Sequence, residues 1–121
     1  MTNLKDVRNE LLRLHKTLMN LERENYESAN GPITNVQLLT LLFEDDAFIW
    51  LREISILVAE IDELLASKQG IDSGIANSLM AKAEDLIHEN SENHVFRTKY
   101  HVNLNTETSV SEHHKNLQSI F

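Results

Sequence analysis

The chain contains no cysteine, which removes thiol catalysis, disulfide frameworks and cysteine-ligated zinc from consideration. It is also poor in backbone punctuation. One proline and three glycines occur in 121 residues, all between positions 31 and 74, so long helices are free to form on either side. There is no basic stripe. Eleven Lys and Arg face nineteen Asp and Glu, a net charge of −8. Residues 1–30 carry five charges of each sign, residues 31–68 two basic against seven acidic, and residues 69–121 four against seven. No segment could track phosphates, so nucleic acid is not an expected partner.

Long apolar runs are missing as well. The greasiest stretch is interrupted by Glu44, Asp45 and Asp46, and nothing reaches the length of a membrane span. The opening "MTNLKDVRNELL" is charged from residue 5 and lacks the apolar core of a secretory signal, so a cytoplasmic location and no membrane partner are expected. HExxH, EF-hand, P-loop, GxGxxG and GxSxG patterns are all absent, and no metal or other cofactor is expected.

What remains is strong helical periodicity in a chain of single-domain length, 1–121. Leu4, Val7, Leu11, Leu14, Leu18 and Leu21 recur at alternating spacings of three and four, and Leu12, Met19 and Tyr26 widen the stripe. A first helix is predicted from about residue 2 or 3 to about 29. After Gly31-Pro32, Thr34 and Gln37 have the spacing of a capping box, with Ile33 and Leu38 as its hydrophobic staple, so a short helix starts near 35. Asp45 reads as the N-cap and Asp46 as the first residue of a long helix at about 46–68. One continuous helix with exposed acids is the alternative. Asp72 or Ser73 caps a further helix with Ile75, Leu79, Met80, Ala83, Leu86 and Ile87 on one face, and "ENSEN" at 89–93 ends it. Between 94 and 108 the pattern fits either a helix through Phe96, Tyr100 and Leu104 or an alternating strand. A lone strand would have no partner, so helix is preferred. Ser109 and Glu112 form another capping-box pair, opening a last short helix with Val110, Leu117 and Phe121.

Polar residues occupy positions that the periodicity assigns to the core. Arg8, His15 and Glu22 lie one heptad apart within the apolar arc of the first helix, and Ser55 and Asp62 do the same in the helix at 46–68. Buried ionisable groups cost several kcal/mol unless paired. If these helices run antiparallel, Arg8 or His15 approaches Asp62, and Glu22 approaches Arg52 or Trp50. Two readings follow. The six residues form a structural network that fixes register, or Arg8, His15, Glu22, Arg52, Ser55 and Asp62 line a polar interhelical pocket in which His15 is a base or ligand. Ile49 and Ile56 fall on the outer side of the same helix, with Trp50 at its edge; the three are candidates for a contact face with the C-terminal segment or with a second copy.

Glu84, Asp85, His88 and Glu92 have spacings reminiscent of carboxylate-bridged metal bundles, but His88 and Glu84 lie opposite the apolar face and are expected to be solvated. His114 shares a face with Val110 and Leu117 and is expected to pack.

"LLRLHKTLMNLERENYE" (11–27) followed by "FEDDAFIWLREISILVAEIDELL" (43–65) resembles small bacterial proteins that pair an LLRLHK helix with an FxWLRxxS and IDE helix. Arg13, His15, Trp50, Arg52, Ser55 and Asp62 lie in these stretches. The relatives carry proline where Asp46 and Glu53 stand here, which leaves the course of the helix after residue 46 open. The resemblance implies an all-helical fold and carries no activity. The expected fold is all-α, an antiparallel bundle of four to six helices whose short C-terminal helices close one side, with 89–121 free to move or to reach a partner. The expected function is a non-enzymatic protein-interaction module, as a homodimer or with another protein; a small-molecule- or metal-binding protein or enzyme built around His15, Glu22 and Asp62 is the alternative.

Overall fold

The computed structural model of the protein describes residues 4–88 and 94–121. Seven α-helices and no strand occur among the described residues: α1 (Leu4–Asn30), α2 (Asn35–Glu44), α3 (Asp46–Ile49), α4 (Arg52–Leu65), α5 (Ser73–Ile87), α6 (His94–Thr106) and α7 (Thr108–Ile120). The protein is all-α. Its 27-residue α1 is about 40 Å long and forms the shared wall of the bundle, with α4 along one side and α7 along another. α5 packs on α4, α6 on α5 and α7 on α6, closing the ring, while α2 rests mainly on α3.

The apolar stripe of α1 explains this centrality. Leu4, Val7, Leu11, Leu14 and Leu18 are all fully buried, and each such side chain contributes about 1.5–3 kcal/mol through removal from water. Aromatic rings join the helices. Tyr26 of α1 meets Phe48 of α3 at a centroid distance of 6.0 Å, Trp50 meets Phe96 of α6 at 5.3 Å, and Phe96 stacks on Tyr100 at 5.3 Å.

Helix ends follow local chemistry. Gly31 ends α1 in the left-handed conformation (φ 83°), its N–H bonded to the Glu27 carbonyl at 2.8 Å. Thr34 and Gln37 form the reciprocal capping box of α2, at 3.1 and 2.7 Å. Asp45 terminates α2 and caps α3, its Oδ1 accepting from the Ala47 N–H at 2.8 Å. Asp72 caps α5 by accepting from the Ile75 N–H.

Three expectations need correction. The helix expected at 46–68 is divided at Trp50–Leu51 and ends at Leu65, which with two separate C-terminal helices gives seven helices among the described residues rather than four to six. The cause is competition for one carbonyl. The Trp50 indole N–H donates to Ala47 O at 3.0 Å, the acceptor that the Leu51 N–H would use in a continuous helix; Leu51 bonds instead to Phe48 O at 3.0 Å. Trp50 and Leu51 accordingly take ψ of −25° and −18°, the tighter 3₁₀ range. The second correction concerns α7, which begins at Thr108 behind an extended Glu107, so Ser109 is already helical and does not cap. Thirdly, Ile75 is exposed and Ala76 takes the buried position, a register set by the Asp72 cap. Between 94 and 106 the chain is helical, with Phe96 and Tyr100, four apart, buried on one face. Residues 94–121 pack into the bundle through Phe96, Tyr100, Val110 and Leu117, all fully buried. The stretch 89–93 lies outside the described residues.

Candidate functional site

The polar residues of α1 and α4 meet in antiparallel order. Arg8 Nε donates to Asp62 Oδ1 at 2.6 Å, His15 Nε2 lies 3.0 Å from Ser55 Oγ, and the Trp50 indole donates to Glu22 Oε1 at 3.2 Å. Lys99 of α6 adds a contact to Glu22 at 3.7 Å and sits 5.9 Å from the Trp50 ring centre. Arg52 is exposed and does not join them. Burial holds the His15 imidazole below the usual histidine range, so at neutral pH it is uncharged. Successive rungs on α1 are seven residues apart, about 10 Å along the helix. His15, Ser55 and Asp62 border one small cavity of about 220 Å³, which Glu22 does not reach. These contacts tie α1 to α4 and to the Trp50–Leu51 turn at three successive levels.

Sequence reasoning missed a second polar cluster. Glu10 is only 4% exposed, and it is the one buried charged residue among those described. Its carboxylate accepts from His113 Nδ1 at 2.8 Å, Asn116 Nδ2 at 3.1 Å and Arg13 Nη1 at 2.9 Å. An ionised carboxylate only accepts, so His113 carries its proton on Nδ1, leaving Nε2 for Thr17 Oγ1 at 3.1 Å. Burial pushes the Glu10 carboxyl upward, but the hydrogen bonds from His113, Asn116 and Arg13 and the charge of His113 outweigh it, and the group is held below the usual carboxylate range. A signal was present: Glu10 stands three after Val7 and four before Leu14, on the buried stripe itself.

A third cluster lies between α5, α6 and α7. The Tyr100 hydroxyl is 2.7 Å from His114 Nδ1. Burial pushes the phenol far up, so it keeps its proton and donates. Burial, and then the neighbouring His101, hold the His114 imidazole below its usual range. His114 is therefore neutral, accepts at Nδ1 and carries its N–H on Nε2. His101 Nε2 is buried without a hydrogen-bond partner, the only such side-chain atom among the described residues; an orphaned group of this kind costs about 1–3 kcal/mol. Both imidazoles border an open cavity of about 860 Å³. His114 was expected to pack and does so, but through a hydrogen bond. Glu84, Asp85 and His88 are exposed, and Glu92 lies outside the described residues. Among the described residues no three His, Asp or Glu side chains converge closely enough to hold a metal ion.

The fourth feature is apolar. Val36, Leu39 and Phe43, at spacings of three and four on α2, all face solvent; Phe43 is 71% exposed. Beside them Ile56 of α4 is 49% exposed, and a groove of about 340 Å³ runs between the two helices, floored by Phe48 and Leu51. Of the three residues expected to form a contact face, Ile56 alone is exposed. Ile49 is half-buried, and Trp50, 3% exposed, is turned into the core by its bonds to Ala47 and Glu22.

No known protein family matches the chain, and neither a curated protein nor a solved structure is detectably similar to it. The resemblance carried by residues 11–27 and 43–65 gains no support from these comparisons. The fold defines the class, an all-α helical bundle, and no activity comes with it. Among the described residues no helix is long and apolar enough to cross a membrane.

Proposed function

We propose that the protein is a cytoplasmic, non-enzymatic interaction module that pairs with a second copy of itself through the α2–α4 groove. The exposed Val36–Leu39–Phe43 stripe carries this reading. Contiguous exposed apolar surface marks contact sites in soluble proteins, and α2 buries only Leu38 against its own bundle. A second copy is the occupant that this surface suits. Phe43 projects beside a groove of about 340 Å³, whereas a cavity of about 150 Å³ suffices for a benzene ring. A two-fold axis would place each Phe43 in the other copy's groove.

Charge supports the same occupant. Arg52 borders the groove, Glu44 and Glu53 follow its lining residues Phe43 and Arg52 in the chain, and none of the three has an ion-pair partner among the described residues. Sedimentation velocity over a concentration series tests the proposal. A dimer is expected, with Phe43→Glu sedimenting as a folded monomer. A monomeric wild type, or a Phe43→Glu variant that still dimerises, overturns it.

A further inference from the structure

We infer that the cavity between α5, α6 and α7 is a binding site for a small organic anion with an apolar body, such as an aromatic or branched carboxylate. Its volume of about 860 Å³ falls in the range of small-molecule sites, roughly 300–1,000 Å³. The chemistry of its wall selects the charge. Tyr100 occupies His114 Nδ1, which leaves His114 an Nε2–H donor that is not among the buried unpartnered atoms. Arg97, also on the wall, is donor-only; its Nη2 lies 2.7 Å from His94 Nδ1, and a guanidinium has five N–H groups to share among partners. Gln118 and Asn105 add amide donors, and Glu84 is the one carboxylate side chain among the described lining residues. Arg97 is the one Lys or Arg on this wall, and three of the six histidines, His88, His101 and His114, add ring nitrogens that can donate.

The floor selects the rest of the ligand. Ile87, Leu104 and Phe121 border the cavity and would cover a ring or branched chain, a surface that an inorganic anion would leave unused. His101 adds an independent mark. Its Nε2 has neither a protein partner nor exposure to water, although the residue itself borders the cavity. Buried polar atoms in folded proteins are nearly always satisfied, and a turn of this ring toward an incoming carboxylate would satisfy it. The site lies on different helices from the α2–α4 groove, so it stands whether or not that groove joins two copies.

The test is an NMR titration of the full chain with benzoate, with benzamide as the neutral counterpart and inorganic phosphate as the bare anion, following the imidazole resonances of His101 and His114. Benzoate should shift both saturably, and benzamide and phosphate should not. Arg97→Gln and His114→Leu should each weaken benzoate about tenfold or more, the scale of one charge-assisted hydrogen bond. Circular dichroism checks folding. Arg97 is only partly buried, so its variant keeps the test decisive if His114→Leu unfolds by stranding the Tyr100 hydroxyl. Equal response to benzamide, response to phosphate alone, unchanged benzoate affinity in Arg97→Gln, or no saturable shift with benzoate overturns the inference.

Discussion

Glu10 of α1 and His113 of α7 share a 2.8 Å hydrogen bond although 103 residues separate them in the chain. With Asn116 and Arg13 they convert a buried carboxylate from a liability into a clasp between the two helices.

Glu10→Ala would leave the His113 and Asn116 donors without their acceptor. The expected loss is about 1–3 kcal/mol for each donor left buried without a partner. Glu10→Gln keeps an acceptor and should lose less, about 1–2 kcal/mol. Urea denaturation of the two variants measures both. If Glu10→Ala stays within about 0.5 kcal/mol of wild type, the clasp contributes nothing and α7 is held by Val110 and Leu117 alone.

Stability should fall on mild acidification. His15 and His114 have folded-state values below 6.5, so the unfolded chain takes up protons more readily than the folded one. Their contribution is complete above the unfolded value and is lost as pH falls through the folded values. Glu10 extends the trend, because its lowered carboxyl stabilises the fold above 4.5 and ceases to do so as pH falls through its folded value. Denaturation midpoints from about pH 8 to pH 4 should therefore decline monotonically toward acid. Combining His15→Gln with His114→Gln should flatten the portion just below 6.5; an unchanged slope there would remove both histidines from the account.

The Arg8–Asp62 rung should be weak. Both side chains are partly exposed, and pairs of this kind contribute about 0–1 kcal/mol. A double-mutant cycle with Arg8→Ala and Asp62→Ala reads the coupling directly. A value well above about 1 kcal/mol would mean that the ladder stabilises the bundle as well as setting its register.

The ladder was legible because it rests on period. Residues 8, 15 and 22 repeat each heptad, as do 55 and 62, and antiparallel packing of the two helices was enough to bring Arg8 to Asp62 and Glu22 to Trp50. Arg52 did not follow, because the turn at Trp50–Leu51 leaves it on the exposed side. That turn depends on where an indole N–H points, a choice that hydrophobic spacing does not encode. Glu10 was overlooked although it sits on the buried stripe, since its partners belong to α7 and nothing local announces them. The Tyr100–His114 bond, at 2.7 Å, arises in the same way from how α6 and α7 are placed together. The Asp45 and Asp72 caps, by contrast, use neighbours two and three residues away and could be read directly.

The clasp also orders events during synthesis. α1 emerges from the ribosome well before α7, the helix that covers its Glu10 face, which is made about 100 residues later, roughly 5–20 s at usual elongation rates. Throughout that interval a carboxylate stands in the waiting surface and holds water there. A leucine at the same position would offer nascent chains a continuous apolar stripe through which to adhere. Glu10 thus interrupts the apolar stripe of α1 until α7 replaces the water with the donors of His113 and Asn116.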